Sequence, residues 1–576
     1  MKKLVFNFLL ITVLFSLNLS AQYQPKEISK HDLKKAQEWV DQTYNSLSQD
    51  EKLGQLFIVA LYTNKDENHI NQVRNIVTND KIGGLILMQD DAAREINLVN
   101  EFQQKSKVPL MIGMDAEWGL YQRINTAHKF PWAMTLGAIQ DKDLIYQMAA
   151  KIAEDCKRMG VNWDFAPVVD VNTNPNNPII GNRSFGSEVS NVTQSALSYA
   201  NGLQDNNILA AIKHFPGHGD TNTDSHLDLP VVSHSLQRLN KIELAPFKDL
   251  MNKGIGGVMV AHLYVPSLES GKGIPASISK NIVTGLLKEK LGYKGLIITD
   301  ALNMGAVANK YKPGELDALA FKAGNDIMLF SQGVSEGKKL IQKAIDQGEI
   351  SQSRVEESVK KILLTKYFLG LNQYTPKNPE NINYDINNDS HTKLVQNLYS
   401  NALTLLKDEK KLLPLNLHTT YYYVPLEEAP YQTFENRLKS DSKVIVKKAS
   451  EINTIPANST VIVGFHKDNS TAYKPYKISA ESKKILSDLT KNKNVILNVF
   501  GSAYALKDID LSKVSTVLVS YENNDDSMTA TADALNGKTK ISGKLPVLVN
   551  DQLKPGMGIN LEAPKFSKST EFTTSK

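Results

Sequence analysis

The sequence contains a single cysteine, Cys156. One cysteine cannot form a disulfide within the chain, so the chain is not one of the disulfide-stapled extracellular scaffolds. Cys156 lies in a segment whose apolar residues recur at helical spacing, where a free cysteine is usually a small core side chain. We therefore expect Cys156 to be buried and to carry no chemistry.

The chain also lacks a dense cluster of basic residues. Its 66 Lys and Arg residues and 61 Asp and Glu residues give a formal net charge of +5 and are spread along the sequence. Nucleic-acid binding requires a concentrated basic surface, so we expect no nucleic-acid partner. With 41% hydrophobic and 22% charged residues, the composition is that of a globular protein. Nothing in it specifies an oligomeric state.

Long apolar runs are absent except at the N-terminus. Met1 to Lys3 is a basic start, Leu4 to Leu19 is almost wholly apolar, and Ser20-Ala21 offers small residues for cleavage. This pattern predicts a secretory signal peptide over residues 1–21. No later run of about twenty apolar residues follows, so we do not expect the mature chain to span a membrane. Because the chain is predicted to be exported and contains a single cysteine, we expect it in a bacterial periplasm and not among the disulfide-rich extracellular proteins.

What is present is a regular alternation of strand-length apolar runs with helical patterns between residues 30 and 371. The eight predicted strands are Gly54–Ala60, Ile82–Met88, Leu110–Met114, Val161–Ala166, Leu209–Lys213, Gly257–His262, Gly295–Thr299 and Asp326–Phe330. This alternation predicts an α/β fold, either a TIM-like (β/α)8 barrel or a doubly wound open sheet.

Titratable residues at the strand ends favour the barrel. In chain order, these ends carry Asp115, Lys213 with His214, His262 and Asp300. All carboxyl ends of barrel strands meet at one mouth, whereas an open sheet would keep the third and seventh ends far apart. We therefore predict the barrel.

A change of composition marks the end of the predicted barrel. Residues 372–391 are rich in Asn, Pro and Asp and predict a linker. Residues 392–560 predict a smaller α/β sandwich domain, and residues 561–576 a flexible tail. After a helix over Ser390–Leu403, the expected strands are Thr419–Val424, Val444–Lys447, Thr460–Gly464, Val495–Val499 and Thr516–Ser520.

Two features carry candidate chemistry. Asp300 follows the apolar run Leu296–Thr299, where a carboxylate is costly to bury unless it has partners or a function. Asp224-Ser225-His226 follows the fifth strand, and residues two apart on an extended segment point the same way. An aspartate beside a histidine orients the ring and suits it to general acid/base catalysis. A helix cap at Asp300 and a solvated loop histidine are the structural alternatives.

The same segment raises the question of a metal site. His214, His218, Asp224 and His226 are residue types that bind zinc. Pro216 and Gly217 interrupt the spacing between the first two histidines, so a helical ligand pair is not possible there. We predict no metal at this segment.

Further polar residues could contact a sugar. Asp115, Arg123, Arg183 and Lys213 together supply the donors and acceptors that sugar hydroxyls require. Each of them taken alone is more often part of a structural salt bridge.

The segment Lys213–His226 resembles, position by position, the signature of the glycoside hydrolase family 3 β-N-acetylglucosaminidases of the NagZ type. The shared pattern is Lys-His-x-Pro-Gly-x-Gly, four residues, then Asp-Ser-His. Supporting similarities are Asp115-x-Glu117-x-Gly119 with Arg123, Phe165–Val171, Gly181–Gly186, Pro275-Ala276-Ser277, Thr299–Met304, Leu403–Leu415 and Gly543–Val547. The resemblance covers nearly the whole mature chain.

The resemblance implies a role for each matching residue. Asp300 would be the nucleophile, His226 the acid/base and Asp224 its orienting partner. Asp115, Arg123, Arg183, Lys213 and His214 would bind a terminal N-acetylglucosamine. The usual retaining glycosidase uses two carboxyl groups, and here a histidine would replace one of them. No metal or organic cofactor is implied.

The sequence departs from the family pattern after the third strand. Family members often read Asp-Gln-Glu-Gly-Gly-Arg-Val, whereas this chain reads Asp-Ala-Glu-Trp-Gly-Leu-Tyr over residues 115–121. Some β-glucosidase relatives take their acid from a second-domain glutamate, and Glu522 follows a predicted strand there. The Asp224-Ser225-His226 triplet makes such a role unnecessary, so we expect Glu522 not to be catalytic.

The sequence thus predicts an exo-acting, retaining β-N-acetylglucosaminidase. Its carbohydrate substrate would carry a terminal β-linked N-acetylglucosamine, for example on peptidoglycan fragments. Three alternatives stay open: a β-N-acetylglucosaminide phosphorylase, a family 3 β-glucosidase or xylosidase, and a non-catalytic carbohydrate-binding protein.

Overall fold

The structure is a computed structural model that describes residues 30–564. The predicted signal peptide, residues 1–21, lies outside the described residues, as does most of the predicted tail 561–576. The first eight strands are β1 Phe57–Leu61, β2 Gly84–Leu87, β3 Met111–Met114, β4 Trp163–Asp164, β5 Leu209–Phe215, β6 Gly257–Val260, β7 Leu296–Thr299 and β8 Met328–Leu329.

These strands form one parallel sheet in the order β7-β6-β5-β4-β3-β2-β1-β8. A parallel bridge between Ile298 and Ile327 brings the two edges together, and the Thr299 N–H donates to the Ile327 carbonyl over 3.1 Å. Every residue of the eight strands is buried. Continuous apolar runs are expected of strands covered on both faces. The predicted barrel is confirmed, and the open sheet is not formed.

Helices cover the outside of the barrel and continue into the second domain. The α-helices are α1 Lys30–Ser46, α2 Gln49–Gly54, α3 Glu67–Asn75, α4 Ala92–Lys105, α5 Ala133–Gly137, α6 Asp143–Met159, α7 Val189–Gln204, α8 Leu236–Lys241, α9 Ala245–Asn252, α10 Gly305–Ala308, α11 Glu315–Ala323, α12 Val334–Asp346, α13 Gln352–Phe368, α14 Ile382–Asp385, α15 Asp389–Ala402, α16 Gln432–Lys439, α17 Ala480–Leu489 and α18 Asp525–Leu535. Two π-helices lie at Ile76–Asp80 and Asn281–Lys290. Short 3-10 turns lie at Leu120–Gln122, Gly181–Arg183, Ala276–Ile278, Leu371–Gln373, Ala449–Thr454 and Ala503–Leu506.

Helix α6 shows how sequence pattern sets helix placement. Its apolar residues recur three and four positions apart and are buried, Cys156 among them. The helix ends at Gly160, which has a φ of +82°, a left-handed conformation that glycine adopts without steric cost. The expected burial of Cys156 is confirmed.

The second domain contains a six-stranded sheet in the order β11-β10-β12-β13-β14-β9. Its strands are β9 Thr404–Asp408, β10 Thr420–Leu426, β11 Lys443–Val446, β12 Thr460–His466, β13 Asn494–Phe500 and β14 Thr516–Val519. The last five were predicted and are present. Strand β9 was not predicted, and it pairs antiparallel with β14 at the edge of an otherwise parallel sheet.

The segment that joins the domains packs against the barrel. The Asn100 side chain accepts from the Tyr374 hydroxyl and the Lys377 N–H, over 2.7 and 2.9 Å. Arg158 pairs with Asp385 over 2.8 Å. Over residues 30–564, no helix is long and apolar enough to cross a lipid bilayer.

Candidate active site

A cavity of about 380 Å³ opens at the carboxyl ends of the barrel strands. Its lining includes Asp115, Arg123, Arg183, Lys213, His214, His226 and Asp300, together with Tyr62, Glu117, Met304 and Tyr473. Seven of the eight residues predicted for the site line this cavity, although they come from separate parts of the chain. The eighth, Asp224, pairs with His226 at the rim.

The bottom of the cavity is built from charged residues and one histidine, here called the floor: Asp115, Glu117, Arg183, Lys213 and His214. The Lys213 side chain is only 2% exposed, and its ammonium lies 2.8 Å from Asp115 and 2.9 Å from Glu117. Arg183 donates to both oxygens of Glu117 over 2.6 and 2.9 Å. Such two-point contacts between a guanidinium and a carboxylate set geometry as well as charge.

The charges of the floor stabilise one another. Burial alone would raise the pKa of Asp115, but Lys213 and Arg123, which also donates to this carboxylate, hold it well below its usual range. Burial would raise the pKa of Glu117 as well, but Arg183 and Lys213 lower this pKa to about 2. Burial would lower the pKa of Lys213, and the two carboxylates raise it. The floor therefore presents fixed, charged groups to a polar ligand.

Asp170 and Arg183 together orient the His214 ring. Nδ1 of His214 lies 2.7 Å from an Asp170 oxygen, and Nε2 lies 3.3 Å from an Arg183 nitrogen. Asp170 also accepts from the His218 N–H over 2.6 Å. Both ring nitrogens of His214 are therefore held by neighbours.

Asp300 follows β7 and lies on the cavity wall. Its own N–H donates to the Val260 carbonyl over 2.8 Å, and its carboxylate accepts from the Ala301 N–H over 2.8 Å. Burial would raise its pKa, but the nearby His214 and His262 lower it. Asp300 is thus an ionised carboxylate at the cavity.

His262, two residues after the end of β6, is buried, and both its ring nitrogens have hydrogen-bond partners. Nδ1 lies 2.7 Å from the Ser277 hydroxyl and Nε2 lies 3.0 Å from the Ala301 carbonyl. Its burial lowers its pKa. His262 supports the segment around Asp300 and does not line the cavity.

Asp224 and His226, here called the dyad, lie on the loop between β5 and α8. Nδ1 of His226 is 2.8 Å from an Asp224 oxygen that also accepts the His226 N–H over 2.9 Å. The side chains are 29% and 57% exposed. Because Nδ1 faces Asp224, the other ring nitrogen is available for proton exchange with a ligand.

Two tethers dock the dyad loop on its neighbours. Ser225 lies 3.3 Å from Nε2 of His218, whose Nδ1 is 2.7 Å from the Thr221 hydroxyl. The Gly305 N–H, at the start of α10, donates to the His226 carbonyl over 3.2 Å. Burial lowers the pKa of His218 to about 4, so this ring is neutral near neutral pH.

The four residues weighed as zinc ligands do not come together. His214 faces Asp170, His218 faces Thr221 and Ser225, and His226 faces Asp224. Within the part of the chain that the structure describes, one group of three potential ligands has its atoms within 4.8 Å: Asp220, His234 and Glu243. It lies outside the residues that line the cavity.

Glu522 is a contact between the two domains. It is fully buried and accepts from the Lys129 ammonium, the Trp132 N–H and the Thr135 hydroxyl over 2.8–2.9 Å. It does not line the cavity. The second domain instead contributes Tyr473, which is 50% exposed.

Glu117, Asp170 and Tyr473 were not selected as site residues from the sequence. Glu117 could have been found, since it stands two positions after Asp115 and carries the same charge. Asp170 lies 44 residues before His214, but the family-like segment Phe165–Val171 contains it and could have marked it. Tyr473 lies in the second domain, and no local pattern there marks it as a cavity residue.

Three kinds of comparison agree on the relationships of the chain. Residues 48–365 match the model of the glycosyl hydrolase family 3 N-terminal domain. The chain is 32% identical over 409 residues to a protein named β-hexosaminidase A of Pseudoalteromonas piscicida, covering 65% of this chain and 67% of the relative. It is 32% identical over 332 residues to β-hexosaminidase LpqI of Mycobacterium tuberculosis, covering 56% and 83%.

Solved structures extend the likeness to the second domain. A glycoside hydrolase family 3 β-N-acetylglucosaminidase from Paenibacillus sp. str. FPU-7 is 29% identical, with a TM-score of 0.71 over 88% of this chain and 99% of that one. A β-glucoside phosphorylase has a TM-score of 0.78 over 92% and 98% of the two chains. Its identity is 24%, so that likeness shows the fold alone.

Proposed function

The chain belongs to glycoside hydrolase family 3, and from this membership we propose that it is an exo-acting, retaining β-N-acetylglucosaminidase. One observation carries the proposal: the ionised Asp300 and the exposed His226 ring line the same cavity, above a floor of fixed charges. This arrangement supplies a nucleophile, a proton donor and groups that bind a sugar.

The first step transfers the sugar to the enzyme. An Asp300 oxygen attacks the anomeric carbon as the glycosidic bond breaks, and His226 gives its proton to the leaving oxygen. Asp224 holds Nδ1 of the ring over 2.8 Å, so the proton leaves from Nε2. The products are a glycosyl ester of Asp300, a neutral imidazole and the released alcohol.

The second step returns the enzyme to its starting state. The neutral imidazole of His226 accepts a proton from water while the water oxygen attacks the anomeric carbon and displaces Asp300. Two inversions at one carbon give overall retention. The exposure of the ring at 57% is consistent with a group that admits both a leaving sugar and an incoming water.

The floor accounts for binding of the terminal sugar. Four floor residues, Asp115, Arg183, Lys213 and His214, and the neighbouring Arg123 line the cavity and present donors and acceptors in fixed positions. Because these groups are already paired with one another, little side-chain entropy is lost when a ligand binds.

The natural substrate and location are further parts of the proposal. We propose peptidoglycan-derived fragments with a terminal N-acetylglucosamine as substrate, and export by residues 1–21 to the periplasm. The charged floor suits a hydrophilic sugar, and the sequence pattern of the N-terminus supports export.

Trapping of the covalent intermediate tests the mechanism. A fluorinated N-acetylglucosaminide that slows the second step should label the wild-type chain at Asp300, as found by mass spectrometry of the digested protein. The Asp300→Asn variant should show no label and no turnover. Labelling at another residue would contradict the assignment of the nucleophile.

A phosphorylase is the second candidate. A histidine acid/base does not repel an incoming phosphate as a carboxylate would, and the exposed ring of His226 leaves room for one. Initial rates on chitobiose and muropeptides, with and without phosphate, and identification of the sugar product separate the two activities. Aryl glucosides and xylosides in the same panel test the remaining enzymatic alternatives.

A further inference from the structure

The dyad loop, residues 216–235, is closed at its base by a polar cluster that lines no part of the cavity. The cluster consists of Asp220, His234, Arg238 and Glu243. Asp220 and His234 stand near the two ends of the loop, and an Asp220 oxygen lies 2.6 Å from Nε2 of His234. Their side chains are 24% and 30% exposed.

Arg238 ties this pair to the body of the barrel. From α8, its guanidinium donates to Glu243 over 2.9 Å and to the Thr173 hydroxyl over 3.2 Å, and it lies 3.7 Å from Asp220. Glu243 is 3% exposed. The base of the loop is therefore anchored to a buried carboxylate through one guanidinium.

The presence of Arg238 also argues against a metal ion in this cluster. Asp220, His234 and Glu243 have their potential ligand atoms within 4.8 Å of one another, which by itself would admit a metal ion. The guanidinium already supplies the positive charge between the two carboxylates, and it would repel a second cation. The geometry points to a structural pair and not to a metal centre.

The dyad depends on such an anchor because its own side chains have few partners. Within residues 30–564, the hydrogen bonds of the Asp224 and His226 side chains are those they make with each other and with the His226 N–H. Both side chains are partly or largely exposed. Their position over the floor is therefore set by the backbone of the loop, which is held at Ser225, at the His226 carbonyl and at the base.

We propose that Asp220 and His234 are positioning residues for the acid/base: their contact closes the loop and holds His226 where it can protonate the leaving oxygen. This inference rests on the proposed function of His226. A displacement of about 1 Å at a reacting group can cost about 100-fold in rate. Loss of the Asp220–His234 contact should therefore weaken acid catalysis and leave Asp300 and the floor residues unchanged.

A series of aryl N-acetylglucosaminides with different leaving groups tests the proposal. A dinitrophenolate leaves without a proton, whereas a methoxyphenolate needs one. His234→Ala should lower kcat/KM for the methoxyphenyl substrate by about 10- to 100-fold, a part of the roughly 100- to 10,000-fold that general acid catalysis contributes in full. For the dinitrophenyl substrate, kcat/KM should change less than about 3-fold, because its first step does not use the acid.

Matched variants make the result specific. Asp220→Asn should behave like His234→Ala, and the double variant should lose no more than the stronger single one, since the two residues act through one contact. His234→Gln places an amide N–H near the position of Nε2 and should restore part of the loss. Asp228→Asn is the control, because this carboxylate on the same loop is exposed and its side-chain hydrogen bond among residues 30–564 is with the neighbouring Leu229 N–H, over 2.7 Å.

Four outcomes would overturn the proposal. Equal losses on both substrates would show a general structural role, and no loss on either would show that the pair is not needed. If His226→Ala itself showed no dependence on the leaving group, the acid assignment in the proposed function would fail and this inference with it. If the loss in kcat/KM depended on the leaving group in His226→Ala but not in His234→Ala, only the positioning role would be overturned.

Discussion

The floor of the cavity and the loop above it hold their functional groups in opposite ways. Floor residues are buried or, at Asp115, mostly buried, and they are paired with one another: Lys213 is 2% exposed and contacts two carboxylates. The dyad is exposed, and each of its side chains relies on the other. The proposed sugar site is thus part of what stabilises the barrel, whereas the proposed proton donor lies on a surface loop that the barrel supports.

This difference has a physical cause. Charges that bind a sugar can be fixed permanently, because the sugar comes to them, and burial strengthens their mutual attraction. A group that gives a proton to a leaving alcohol and then takes one from water has to stay in contact with both. Substitutions in the two regions should therefore separate stability from catalysis.

The largest effect is expected at the floor. Lys213→Met removes the cation that Asp115 and Glu117 share and leaves each carboxylate with one arginine, Arg123 or Arg183. A buried charge left wholly unpaired costs about 3–5 kcal/mol, so we expect a loss of up to this size in the free energy of unfolding, measured by denaturant titration. Activity should fall alike for all leaving groups.

The matched control is Lys339→Met, because Lys339 forms an exposed pair with Glu336 and is 74% exposed. An exposed pair is worth at most about 1 kcal/mol. If both variants were equally stable, the floor would not be the interlocked unit described above.

A smaller effect on stability but a clear one on catalysis is expected at the loop. His226→Ala should lower kcat/KM for a poor leaving group by about 100- to 10,000-fold, the contribution of general acid catalysis. Since the ring is 57% exposed, the unfolding free energy should change by less than about 0.5 kcal/mol. His418→Ala, an exposed histidine of the second domain, is the control. Unchanged turnover of the poor substrate in His226→Ala would contradict the acid/base role.

A third effect, on the pH dependence of stability, concerns a buried carboxylate that interacts with the floor charges Lys213, Asp115 and Glu117. Asp164 is fully buried, and burial raises its pKa to about 7 despite a hydrogen bond from the Ala116 N–H. The folded chain then binds a proton at Asp164 that the unfolded chain releases near its ordinary value of 3.8. This stabilising contribution is present below about pH 4 and is lost as the pH rises through about 7.

Asp164→Asn should remove this dependence. The unfolding free energy of the wild type relative to the variant should fall between about pH 4 and 7, by at most about 4 kcal/mol, since one pKa unit corresponds to about 1.4 kcal/mol. Denaturant titrations at several pH values measure it, with the exposed Asp346→Asn as control. A difference that grew with pH would mean that Asp164 is charged in the folded chain.

Much of the fold was predictable because strands of a parallel barrel are buried on both faces. Their apolar runs are continuous, and all eight were found within a few residues of their observed bounds. Strand β9, which starts two residues after α15 ends, was not predicted. Its strand conformation depends on pairing with β14, more than a hundred residues later.

The sequence by itself determined the barrel, the order of its strands and which side chains end them. Buried strands are recognisable as local apolar runs, and the direction of the chain shows which residues follow each strand. Only the tertiary structure decided that Asp170 holds His214, that Glu522 joins the domains and that Asp220 meets His234. Such contacts join residues far apart in the chain or across a loop, and their distances depend on how the whole barrel closes. The loop's own sequence specifies the dyad, but its position over the floor is a property of the fold.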